Sequence, residues 1–195
     1  KSWGPGADIA KKFEEETGIG VQWVEVSNAG MIMENLSHRR AGDMPDAVIG
    51  IDLLSVDLAK ATVEWEDYKF ETKEFVKDLP KNVLEMGFLP FNWSPMTFIF
   101  KRSELPTPRL IDDLLEEKYA NSLALQDPRT SSTGLYFLIW VLSLKGETEG
   151  VEFLRKLKSS VRVVSPSWSA AYSLFQNNQV PMVFSFFTST IYHYV

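Results

Sequence analysis

The segment Asp127-Pro128-Arg129-Thr130-Ser131-Ser132-Thr133-Gly134 carries the clearest capacity for polar recognition in this chain. It lies between two apolar runs: Ser122 to Gln126 reads as a short buried strand, and Leu135 to Leu142 as a buried helix. Hydroxyl residues and a glycine at a strand-to-helix turn leave backbone N–H groups pointing outward at the positive end of the helix. That arrangement suits an anion or a polar ligand group. The same residues would serve equally as a helix cap, and spacing alone leaves both readings open.

Other residue types with binding chemistry follow the same placement. Asp52 directly follows the apolar run Asp46 to Ile51, so it either meets a cation or amino group at a strand end or caps the helix starting at Leu53. Trp168 sits in the turn Ser165-Pro166-Ser167-Trp168-Ser169, between a β-branched strand and a helix. Its indole is either a stacking platform for a planar or cationic ligand or a core ring. Phe186, in Ser185-Phe186-Phe187-Thr188-Ser189, again sets rings beside hydroxyls at a strand end, and Trp3 and Trp93 lie in loop-like surroundings. Tyr192-His193-Tyr194 is either a candidate ferric-ion set or an aromatic helix turn, and His38 beside Arg39 and Arg40 reads as a solvated helix end.

Composition removes whole classes of function. The chain has 195 residues, no cysteine and a formal net charge of -6. Thiol catalysis, thiolate metal sites and disulfides are therefore excluded. A nucleic-acid partner is not expected, since no basic stripe exists to neutralise phosphates. No run of about eighteen apolar residues appears, so no membrane-spanning helix is expected. Zinc-protease, nucleophile-elbow and P-loop motifs are absent, and no nucleophile–base pair stands out. A binder without catalytic residues, cofactor or metal is the expectation.

The elements that must position these residues alternate. Helices are expected at 8–14, 29–40 and 53–61, with strands at 21–26 and 46–51, and a charged, solvated loop at 62–85. Two extended apolar segments, 88–93 and 96–100, flank Ser94-Pro95. The alternation then resumes with helices at 110–117, 135–142, 150–159 and 169–176 and strands at 122–126, 161–164 and 180–184. This order predicts an α/β protein with parallel-type sheets flanked by helices, in two lobes with a ligand crevice beyond the carboxyl ends of the strands. The expected division is lobe one at 1–92, lobe two at 93–190, and 191–195 as the start of a return to lobe one. Lys1 is not preceded by Met and Ile191 to Val195 carries no capping signal, so a fragment or processed chain is expected, its export signal lying outside it.

In this order the pieces resemble the periplasmic thiamine-binding proteins of bacterial ABC importers. The matching stretches are Ser2-Trp3-Gly4-Pro5-Gly6, Ala47 to Asp52, Pro90-Phe91-Asn92-Trp93, Gln126 to Ser131, Trp168 to Tyr172, and Ser185 to Ser189 with Tyr192-His193. The resemblance implies a type II, two-lobed binding-protein fold that closes on its ligand, its first lobe incomplete here. It implies capture of thiamine or its phosphates for the membrane subunits of an ABC transporter, in the periplasm or otherwise outside the cytoplasm. By position it makes Asp52 the acid that meets the aminopyrimidine, Trp168 and Tyr192 the rings, and Thr130, Ser131 and Gly134 parts of the anion turn. Ser132, Thr133, Phe186, Trp3 and Trp93 complete the expected ligand contacts. Two positions depart from the family pattern: Phe186 stands where an aromatic hydroxyl is usual, and Thr133 where a proline is. The competing expectations are a relative taking ferric ion, a polyamine or a phosphate ester, and a truncated sensory or structural module that assembles with another chain.

Overall fold

Continuous apolar runs in the central strands of the second half of the chain dictate a sheet covered on both faces, and that sheet is the centre of the fold. The computed structural model describes residues 7–26, 29–68 and 86–193. The chain divides into two units, Lys1–Gly87 and Phe88–Val195.

In the first unit, α1 (Ala7–Thr17) carries Lys11–Glu15 and Lys12–Glu16 pairs at i,i+4 spacing and ends where Gly18 turns to φ 72. Helix α2 (Ala29–His38) buries Ala29, Met33 and Leu36, spaced to fall on one helical face. It packs against α3 (Val56–Thr62), which buries Val56 and Ala59. The indole N–H of Trp65 donates to the Ala59 carbonyl at 2.8 Å and closes the end of α3. The segments 21–26 and 46–51, expected as strands, run without regular structure, and Trp23, Val24 and Ile49 are exposed. An apolar run signals an extended chain but not its partner, and a strand exists only where a neighbour completes its ladder. Of the expected loop at 62–85, residues 69–85 lie outside the described residues.

The second unit holds a four-stranded sheet in the order β1-β4-β2-β3: β1 is Met96–Phe100, β2 Leu123–Gln126, β3 Val161–Ser165 and β4 Met182–Phe186. Strands β3 and β4 run parallel to β2, while β1 is an antiparallel edge on β4, pairing Met96 with Phe186 and Phe100 with Met182. Because side chains alternate along a strand, Leu123, Leu125, Met182 and Phe184 join one core with Phe137, Val141, Phe153 and Leu157 of α4 (Ser132–Leu157). Ala124 and Val183 face the other way, into a second core with Ala171, Tyr172 and Phe175 of α5 (Trp168–Gln176).

Two local outcomes differ from expectation and one agrees with it. The helices expected at 135–142 and 150–159 are two helices joined across a kink within α4, parted where Gly146 takes φ 75, ψ 172, a conformation that only glycine adopts cheaply. The helix expected at 110–117 is two 3-10 turns, Ile111–Leu115 and Glu117–Tyr119, because the chain is extended at Glu116 between them. The last strand begins at Met182 rather than Val180, since Pro181 precedes it and has no N–H to give a ladder.

Candidate functional site

The parallel register pairs Gln126 with Ser165, so β2 and β3 end level. Both α4 and α5 begin just beyond those ends, and their N-termini collect at one edge of the sheet. In parallel sheets this is the edge at which ligands are held.

The turn after β2 is tightly wired. The Asp127 N–H extends the ladder by donating to the Ser165 carbonyl at 2.8 Å. The Asp127 carboxylate accepts from the Arg129 backbone N–H at 2.9 Å and from its guanidinium at 2.5–3.2 Å. That guanidinium, and next the backbone N–H, holds the Asp127 carboxyl down at about 2, against an ordinary 3.8. A depressed folded-state pKa adds stability above the unfolded pKa and loses it as pH falls through the folded one. The stability gap between the wild type and Asp127→Asn is therefore expected to be full at pH 5 and to close between pH values of about 4 and about 2. Urea unfolding at pH 5, 3 and 2 measures it, and a gap independent of pH would contradict the assignment.

Thr130 Oγ1 donates to the Pro166 carbonyl at 2.7 Å, tying this turn to the one that leads into α5. Ser131 stands at the N-cap of α4, yet its side chain makes no capping bond. Its hydroxyl pairs instead with that of Thr133 at 2.9 Å, and both residues are buried. The first N–H groups of α4 have no acceptor inside the helix, and Ser132, half-buried, is the first residue of that turn. Gly134 is there for a steric reason: a Cβ would stand 2.4 Å from the Gln126 carbonyl oxygen.

Gln126 was not singled out from the sequence, although a polar residue closing an apolar strand is a signal. The β2–β4 ladder covers only Leu123 and Ala124. Beyond it the Gln126 amide takes over, donating from Nε2 to the Phe184 carbonyl at 3.0 Å. Its Oε1 is buried without a partner among the described residues.

The second half of this edge is aromatic. Ser167 caps α5 by accepting from the Ala170 N–H at 3.2 Å, which places Trp168 in the first turn. The Trp168 ring stacks on Tyr172 with centroids 5.0 Å apart and planes 18° from parallel, and lies 6.1 Å from Phe186. Its Nε1–H donates to Ser185 Oγ at 2.8 Å. Trp168 is half-buried, packing on the α5 core. The core-ring reading of this residue therefore describes part of it. Trp93 is exposed just before β1. Its neighbour Ser94 accepts from the Thr188 hydroxyl at 3.1 Å.

Asp52 lies in the first unit. One carboxylate oxygen caps the 3-10 turn Leu53–Ser55, accepting from the Ser55 N–H at 3.0 Å. The other, Oδ2, is buried and without a partner among the described residues. Trp3 lies outside the described residues, as does Tyr194. Tyr192 and His193 belong to the 3-10 segment Phe187–His193 that follows β4, with nothing described of their side chains. Thus the structure brings Thr130, Ser131, Ser132, Thr133 and Gly134 together at one sheet edge with Gln126, and gathers Trp168, just beyond β3, with Phe186, the last residue of β4.

Among known proteins, the chain is 31% identical over 194 residues to the thiamine-binding periplasmic protein of Brucella abortus, matching 99% of this chain and 57% of the relative. It is 27% identical over 192 residues to the protein of the same name from Escherichia coli K12, covering 98% of this chain and 58% of that one. It spans somewhat over half the length of these curated relatives. A solved periplasmic thiamin binding protein superimposes with a TM-score of 0.77 at 25% identity, over 99% of this chain and 60% of that chain. The fold is accordingly that of the type II periplasmic binding proteins. The sequence profile of the bacterial extracellular solute-binding proteins matches residues 8–194. With its helix N-termini and a held indole gathered at the carboxyl ends of parallel strands, the chain belongs to the bacterial extracellular solute-binding protein family.

Proposed function

We propose that this chain captures thiamine or a thiamine phosphate outside the cytoplasm and hands it to the membrane subunits of an ABC importer, acting as a binder and not as an enzyme. One observation carries the reading: an indole fixed by a stacked tyrosine and a serine hydroxyl, at the sheet edge where a hydroxyl-rich turn opens helix α4. A thiazolium is a permanent cation that no proton loss can neutralise, so a dry site must offer it ring faces or carboxylates. Trp168 and Phe186 supply ring faces, with Tyr192, Trp3 and Trp93 as further rings. Asp52 Oδ2 is an acceptor without a donor among the described residues and suits the aminopyrimidine. Thr130, Ser131, Ser132 and Thr133 suit the hydroxyethyl or phosphate end, Gly134 allowing the helix N-terminus to sit low over β2. The names of the relatives support this ligand. On this reading residues 1–92 and 93–190 supply the two lobes, and 191–195 begin the return to the first.

Calorimetry on the full-length protein with thiamine, thiamine monophosphate and thiamine diphosphate tests it. Heat of binding is expected, with a phosphorylated form tighter than thiamine. Replacing Ser131 and Ser132 together by alanine is expected to narrow that difference. No heat with any of the three ligands overturns the ligand assignment. Equal affinities, untouched by the double substitution, take the turn out of the site.

A further inference from the structure

We infer that Ser185 is the positioning residue for the Trp168 ring, acting with Ser189 through a buried hydrogen-bonded relay that sets the plane the ring offers to a ligand. The inference rests on Trp168 being a ligand platform. It adds to that reading the device that orients the platform.

Strand β4 reads Met-Val-Phe-Ser-Phe, and Ser185 in it is wholly buried on the face that Val183 packs against α5. Packing alone would favour alanine or valine there, because a buried hydroxyl is costly unless it is bonded. Among the described residues Ser185 Oγ has two partners: Trp168 Nε1 at 2.8 Å and Ser189 Oγ at 2.8 Å. An indole nitrogen only donates, so Ser185 must accept from Trp168, and Ser189 Oγ stands ready to take the Ser185 proton. Ser189, also wholly buried, holds the second ring as well, because its carbonyl accepts from the Tyr172 hydroxyl at 2.7 Å. One residue thus anchors both members of the stack, Trp168 by its edge through Ser185 and Tyr172 by its tip. Two anchored rings at 18° leave the indole little freedom to tilt, and attraction of a cation or planar ring to an aromatic face depends on that tilt.

The same short segment is fixed from its other side. The Thr188 hydroxyl donates to Ser94 Oγ at 3.1 Å, and the Phe187 N–H donates to the Pro95 carbonyl at 2.8 Å. The ring plane is therefore referenced to β4 and to the chain entering β1, and not only to the helix that carries Trp168.

A double-mutant cycle on the full-length protein, with thiamine as the probe, separates positioning from packing. Ser185→Ala is expected to weaken thiamine binding roughly tenfold. In a protein already carrying Trp168→Phe, which has no N–H to hold, the same substitution is expected to change affinity less than twofold. The Trp168 indole N–H proton resonance, assigned by its loss in Trp168→Phe, gives a readout that needs no ligand. It is expected to exchange slowly with solvent in the wild type and quickly in Ser185→Ala and Ser189→Ala. Should Ser185→Ala fail to fold, Ser189→Ala and the wild-type exchange rate carry the test. An equal affinity loss with and without the indole, or fast exchange in the wild type, overturns the relay. Absence of thiamine binding by the wild type overturns the ligand assignment alone, and the exchange rates still decide for or against the relay.

Discussion

Alanine at position 134 is expected to destabilise the protein by about 1–3 kcal/mol, near the upper end of that range. The added methyl would lie 2.4 Å from the Gln126 carbonyl oxygen and 2.8 Å from the carbonyl carbons of Gln126 and Asp127. All three are backbone atoms, so no rotamer change relieves the clash. They cannot retreat either: Gln126 is paired with Ser165 in the sheet, and the Asp127 N–H is bonded to the Ser165 carbonyl at 2.8 Å. The helix must therefore rise, and with it the Ser131–Thr133 hydroxyl pair and the packing of Phe137 and Val141 on β2 and β4. Gly42 is the control, because a Cβ there meets nothing and its φ is ordinary. Alanine at 42 should change the unfolding free energy by no more than a few tenths of a kcal/mol. If the midpoint of Gly134→Ala matches that of Gly42→Ala, the close approach of α4 to β2 is wrong. A second consequence separates architecture from recognition. A raised α4 terminus should reduce affinity more for a thiamine phosphate than for thiamine, since only the phosphate uses the terminal N–H groups.

The second unit was legible in the sequence because its signals are local. The buried strand at 122–126, the β-branched strand at 161–164 and the helix at 169–176 were each signalled by their own residues, and each formed within a residue or two of expectation. A cap was one of the two readings that residue type offered for Asp52, and that cap exists. What the sequence concealed depends on residues far apart. Gly134 reads as turn chemistry, but its necessity comes from the strand end that passes beneath it. Ser185 reads as one more hydroxyl, and its bond to Trp168 crosses 17 positions. Gln126 reads as the polar end of a strand, and its role is to bridge β2 to β4 where their ladder stops. The segments 21–26 and 46–51 make the same point in reverse, since their strand-like pattern specified no neighbour and none forms among the described residues.

Truncating Trp168 to alanine is expected to weaken thiamine binding by about 2 kcal/mol, roughly thirtyfold in Kd, the range for losing an aromatic face against a desolvated cation. Stability should fall as well, because the ring stacks on Tyr172 and packs on the α5 core. A fully buried tryptophan costs about 3–5 kcal/mol on truncation. Trp168 is half-buried, so about 1–3 kcal/mol is expected. The Ser185 hydroxyl, wholly buried, also loses its donor and adds to the penalty. Since affinity and stability both fall, neither alone identifies the role of the ring. Trp168→Phe separates them. Phenylalanine keeps an aromatic face over Tyr172 and most of the packing but gives up the N–H, so it should recover most of the lost stability and only part of the affinity. Calorimetry at a temperature where all three proteins are folded, beside thermal unfolding without ligand, gives both quantities. If Trp168→Ala lowers stability while thiamine affinity stays at the wild-type value, Trp168 is a core ring and the platform must be sought among Phe186, Trp93 and Tyr192. If affinity falls in step with the loss of ring face, the carboxyl edge of this sheet holds the cation.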